Sequence, residues 1–203
     1  MKVTEMAISY DVTKLKKELR KVDKSSNVND EQSVKLENFF KTIKKTLESE
    51  LYLRKAYILS EKRLGLDKLQ DHAEHLFADG IFYRMPLPQR IDFIEAGKCL
   101  AFERPTAAAF HILRGTEGIL RAYYLQKIKK KDRINILLWK PMIDQLRTIK
   151  NTPKSLLDAY DNLRENFRNP TIHPEITYTM DEAQDLFSVC IDAVNKIVKV
   201  MKP

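Results

Sequence analysis

Only five glycines are spread over the 203 residues of this chain. That scarcity bears on fold class before any pattern is read. A long chain built of strands needs many tight turns, and tight turns lean on glycine. Helices are the expected alternative, and the apolar residues support it. Val34, Leu36, Phe39, Phe40, Ile43 and Leu47 recur at helical spacing after a capping Asn29 or Asp30. Leu186, Phe187, Cys190, Ile191, Val194, Ile197, Val198 and Met201 share one face of a last helix. Thr179 and Glu182 three residues on make a capping box at its start.

The remaining punctuation divides the chain into further helices. The spacing predicts helices over Val12–Lys21, Asp67–Phe77, Ile91–Phe102, Thr106–Lys129, Trp139–Thr148 and Ser155–Phe167. Tyr52, Tyr57, Ile58 and Leu59 permit a short strand or strand pair, while the neighbouring charges permit a helix. The expected fold is therefore mainly all-α. Met85-Pro86-Leu87-Pro88 is the best break, separating an N-terminal helical extension, 1–90, from a helical domain, 91–203.

Apolar residues make up 43% of the chain, enough for a core without disulfide or metal. The two cysteines, Cys99 and Cys190, sit in apolar helical patterns and read as reduced core residues. The start of the chain carries no apolar signal region, and the longest apolar runs are too short to span a bilayer. A cytoplasmic protein without membrane contact is expected. The net charge of +8 suits a polyanionic partner such as RNA.

The stretch that carries chemistry is Phe167-Arg168-Asn169-Pro170-Thr171-Ile172-His173-Pro174. Two prolines are expected to hold it as a fixed loop between helices. Arginine offers a planar fork of donors suited to phosphate. Histidine exchanges a proton near neutral pH. A structural role is open beside this chemistry. Arg168 would then lock two helices through an acidic residue, and His173 would bond backbone at the turn.

Upstream, Phe110, Arg114, Glu117, Arg121 and Tyr124 fall on one stripe of the long helix. Ile112, Leu113, Ile119, Leu120 and Tyr123 form its core face. Glu117 can pair with Arg114 or Arg121. The stripe reads either as one wall of a phosphate-holding cleft or as a solvated ladder of ion pairs. His111 reads as a partly buried helix residue. His72 and His75 lie one helical turn apart, but no further Cys or His completes a metal site. Lys127–Arg133 is a basic helix end. No glycine-rich nucleotide loop or Gly-x-Ser-x-Gly elbow is present.

The Arg-x4-His spacing of Arg168 and His173, with Asn169 directly after the arginine, resembles the signature of the HEPN superfamily (higher eukaryotes and prokaryotes nucleotide-binding). A preceding helix with Ala107–Glu117 and a following amphipathic helix extend the likeness over roughly 91–201. The resemblance implies a helical bundle working as a homodimer, with RNA or a nucleotide as partner. It implies metal-independent endoribonuclease activity in active members, with Arg168 and His173 as the catalytic pair and Asn169 beside them. Arg114, Glu117 and Arg121 would support the phosphate. No cofactor is expected. A non-catalytic helical module binding a nucleotide, a nucleic acid or a partner protein is the alternative.

Overall fold

The computed structural model describes residues 12–14, 16–17, 20, 29–52 and 58–202. It divides into two compact units, Met1–Ile58 and Leu59–Pro203. The described part of the first unit is dominated by one helix, α1, Asp30–Tyr52. Asn29 and Gln32 cap it reciprocally. The Asn29 side chain accepts from the Gln32 amide at 2.8 Å, and the Gln32 side chain accepts from the Asn29 amide at 3.1 Å. Ion pairs one turn apart, Glu31–Lys35 and Glu37–Lys41, line its surface. Leu36, Phe39 and Ile43 are half-buried, whereas Val34, Phe40 and Leu47 are exposed. Of the helix expected over Val12–Lys21, the described residues 12–14 and 16–17 are helical.

The second unit is a helical bundle. Its helices are α2, Leu66–Gln70; α3, Ile81–Arg84; α4, Leu87–Ala101; α5, Pro105–Lys127; α6, Trp139–Arg147; α7, Lys154–Leu163; and α8, Met180–Val200. No strand occurs among the described residues. Of the residues read as a strand pair, Tyr52 ends α1, Ile58 and Leu59 are irregular, and Tyr57 lies outside the described residues. Proline opens two of the helices. It stands within the first two positions of α4 and α5, where its missing N–H costs no helical bond.

The Met85–Pro88 punctuation falls inside this unit, as the start of α4. Residues before it are tied to the last helix. Arg63 N donates to Gln184 Oε1 at 2.9 Å, Ala78 N to Asn195 Oδ1 at 3.0 Å, and Arg84 to the Met201 carbonyl at 2.8 Å. Leu69, Phe77, Ile81, Phe82 and Met85 belong to the core. Residues 91–203 alone would lack these side chains and leave uncovered the core groups they pack against.

Helix α5 is the centre of the bundle, packed on α4, α8 and α6, while α7 packs on α6 and α8. Gly115 lets α5 approach α4. A Cβ there would stand 3.1 Å from the Phe93 ring. Phe93 in turn stacks on Phe187 of α8 with centroids 6.2 Å apart. All eight apolar positions read on the last helix are buried, and the Thr179–Glu182 capping box is formed.

Helix α7 continues where a loop was expected. It passes into a π-helical turn, Arg164–Arg168, and a last α-helical turn, Asn169–Thr171. The Asn169 amide donates five residues back to the Arg164 carbonyl. Pro170 gives the physical reason. In a regular helix its ring would press on the carbonyl four residues earlier, and a π turn widens the spiral there. The segment then ends in two tight turns, with His173 N donating to the Pro170 carbonyl at 2.9 Å and Ile176 N to the His173 carbonyl at 3.1 Å.

Candidate functional site

The π turn lays Arg168 across the exposed stripe of α5. Gln89, Phe110, Leu113, Arg114, Glu117, Gly118, Arg121, Arg168, Thr171 and Ile172 line a cleft of about 280 Å³. Arg114, Glu117, Arg121 and Arg168, all expected from the sequence to carry chemistry, meet there with Phe110 of the same stripe. Asn169 is half-buried and His173 is exposed, and neither lines the cleft.

Glu117 is the hub. Its Oε1 accepts from Arg121 at 3.1 Å, and its Oε2 accepts from the Trp139 indole N–H at 2.6 Å. Arg168 Nε stands 3.8 Å from the same Oε2. Trp139 is buried at the start of α6, so it fixes the carboxylate from behind. Arg121 and Arg168 therefore share one acid, and Arg168 is the more loosely held.

Arg114 pairs elsewhere, contrary to the expected choice between Glu117 partners. Its Nε donates to Asp92 Oδ1 at 2.8 Å and its Nη2 closes on the same oxygen. The carboxylate raises the guanidinium pKa above its ordinary value. His111 Nδ1 lies 3.1 Å from that oxygen, half-buried as expected. Three guanidiniums stand against two carboxylates, Asp92 and Glu117, so the group carries one net positive charge.

Tyr124 does not edge the cleft. It is fully buried, with its hydroxyl donating to Gln145 Oε1 and accepting from Ile134 N. Its stripe angle carries it under α6, where the chain after α5 folds back. Thr171 anchors the other wall. Its hydroxyl donates to the Phe167 carbonyl at 2.6 Å and meets the Tyr178 hydroxyl at 2.6 Å. Tyr178 N donates to Thr106 Oγ1 at 3.1 Å, which fastens the segment to the start of α5.

Asp92, Gln89 and Trp139 are site residues the sequence reading missed. Asp92 had a signal, since it occupies the core-facing stripe that continues through Ala96 and Leu100. Trp139 had none, because no local spacing links it to Glu117. The basic stretch Lys127–Arg133 closes the end of α5. Arg133 donates to the Ile128 and Leu125 carbonyls, and Lys127 lies over the Tyr123 ring.

The fold and cleft define a mainly α-helical protein with an arginine-lined, partly apolar groove on the central helix of its second unit. Compared with known proteins, the chain matches no family model, no curated protein and no solved structure. No helix among the described residues is long and apolar enough to cross a membrane.

Proposed function

We propose that the chain is a HEPN-like RNA-binding protein that cleaves RNA without a metal, working as a homodimer in the cytoplasm. The observation that carries this reading is the meeting of Arg168 with Arg114 and Arg121 around one cleft. Guanidiniums in a partly apolar groove bind phosphodiester through paired charge-assisted bonds. Phe110, 52% exposed at the cleft, offers a ring for a base to stack on. Exposed Phe110 and Ile172 also favour a covered, dimeric cleft.

In the proposed reaction the ribose 2′-oxygen attacks the adjacent phosphorus. The P–O5′ bond breaks, leaving a 2′,3′-cyclic phosphate and a 5′-hydroxyl. His173 takes the 2′-hydroxyl proton while water protonates the leaving 5′-oxygen, or it protonates that oxygen while water takes the 2′-hydroxyl proton. Arg168 neutralises charge growing on the phosphorane. Asn169 stands beside them as a polar neighbour, while Glu117, held by Trp139, aims Arg121 and Arg168.

A second reading rests on His173, which is exposed and outside the cleft lining of a single chain. It is a non-catalytic module that binds RNA, a nucleotide or a partner protein through the same arginines. RNA incubated with the protein in EDTA separates the two. Cleavage to cyclic phosphate by the parent and not by His173→Ala supports the nuclease. Binding without cleavage, weakened by Arg168→Ala, supports the module. Light scattering reads the oligomeric state.

A further inference from the structure

We propose that His72, Glu74 and His75 form a binding site for a divalent transition-metal ion of the Zn²⁺ class. The site lies apart from the arginine cleft, shares no residue with it, and does not depend on the proposed function.

The sequence predicts one helix over Asp67–Phe77. The structure breaks it, ending α2 at Gln70 and resuming as a 3₁₀ turn over Ala73–Leu76. That break builds the site. His72 caps that turn in a non-helical backbone conformation, φ −130° and ψ 50°, while His75 lies within it. His75 N donates to the His72 carbonyl at 3.0 Å, closing the turn. The two imidazoles stack, with centroids 5.4 Å apart and planes 22° from parallel.

Glu74 supplies the third donor. Its Oε1 lies 3.5 Å from His72 Nδ1. One ligand atom from each of the three residues lies within 4.8 Å of the others. Ligands about 2.0–2.1 Å from a tetrahedral zinc stand about 3.3 Å apart, so a small swing of exposed side chains completes the set. Two imidazoles and a carboxylate form a borderline donor set that suits Zn²⁺ and leaves one position for water.

An outer partner is also in place. His72 Nε2 faces Asp67 Oδ1 at 3.9 Å. With Nδ1 on the metal, the opposite nitrogen would lie within a small side-chain swing of a carboxylate hydrogen bond, the arrangement that orients metal-bound histidine. Asp67 itself is held at the start of α2, and its carbonyl accepts from the Asp71 and His72 amides. A bound ion would therefore clamp α2 to the 3₁₀ turn.

The test is titration of the chelator-treated full chain with Zn²⁺ by calorimetry, followed by Co²⁺ and its visible absorption. A single ion per chain is expected. His72→Ala and His75→Ala should each weaken it by more than about tenfold, the loss already typical of disturbing an outer partner. Glu74→Gln should weaken it less, and His173→Ala should leave it unchanged. Both imidazoles are exposed, so circular dichroism of the variants should match the parent. Absence of saturable binding, or equal affinity in the His72→Ala and His75→Ala variants, overturns the proposal.

Discussion

Asp92, only 4% exposed on α4, holds the guanidinium of Arg114 on α5 through a single carboxylate oxygen, which His111 also approaches. The two partners differ in solvation, since the Arg114 side chain is 69% exposed. Truncating either one breaks the same pair with unequal cost. Arg114→Ala leaves a buried carboxylate with only His111 beside it. Asp92→Asn leaves an arginine that water solvates. Arg114→Ala should therefore cost about 2–3 kcal/mol, and Asp92→Asn less, by urea denaturation. Equal losses would mean that the pair contributes through packing instead of charge.

Two glycines of the bundle should respond oppositely to alanine. Helix propensity favours alanine over glycine by about 1 kcal/mol at either position. At Gly97 a Cβ would press into the Leu69 carbonyl, with the Leu69 C and Cα at 3.2 and 3.3 Å. Backbone cannot step aside cheaply, so Gly97→Ala should cost about 1–3 kcal/mol despite propensity. At Gly118 the obstacle is the Gln89 side chain, which can swing away. Gly118→Ala should leave the melting temperature near the parent's or above it. It should also alter RNA affinity, because Gln89 and Gly118 both line the cleft.

Cys190 is fully buried on α8, and burial pushes its thiol up to about 12. A raised pKa leaves almost no thiolate at pH 8, and the thiolate is the nucleophile. Cys99 is only partly buried, and its pKa is also raised, first by desolvation and then by Glu95. Thiol titration of the folded chain with an aromatic disulfide reagent should show Cys99 reacting slowly. Cys190 should react only after unfolding in guanidinium. Prompt reaction of both would show that α8 opens far below the global unfolding free energy.

The capping box of α8 links stability to pH. Hydrogen bonds from the Thr179 amide and hydroxyl hold the Glu182 carboxyl below its ordinary value. For a carboxyl depressed in the folded state, the stabilisation is present above the unfolded pKa. It is lost as pH falls through the folded pKa. Thr179→Ala should cost about 1 kcal/mol at pH 7. The difference between variant and parent should narrow in acid, as melts at pH 7 and pH 3 would show.

Local chemistry written in the sequence survived into the structure. The Thr179–Glu182 box, the prolines that open α4 and α5, and the buried face of α8 each depend on residues within a few turns of one another. The arginine stripe was legible for the same reason, because helical period fixes which side chains share a face. Period does not say which element will cover that face. Tyr124 lies on the stripe angle yet is sealed beneath α6, and Arg114 finds Asp92, 22 residues upstream, instead of Glu117 one turn away. The π turn was hidden because Pro170 reads as a helix stop, whereas a widened spiral lets the helix pass it. The break at 71–72 escaped notice because the apolar spacing of Asp67–Phe77 suits an unbroken helix.

Arg121 and Arg168 share Glu117, Arg121 on Oε1 and Arg168 near the Oε2 that Trp139 also holds. That arrangement makes distinct predictions for the cation and its support. If Arg168 meets a phosphate, Arg168→Ala should weaken RNA binding across sequences. It should also lower the slope of log affinity against log salt by about one. Arg121→Ala should act in the same direction. Trp139→Phe keeps an aromatic side chain in the core and removes only the indole N–H, leaving one Glu117 oxygen without its 2.6 Å donor. Glu117 can then turn fully toward the two arginines and compete with phosphate. Affinity should fall while the salt slope stays at the parent value, since no cation has been removed. Fluorescence anisotropy of a labelled RNA over a salt series measures both quantities. An unchanged affinity in Arg168→Ala would remove the cleft from RNA recognition altogether.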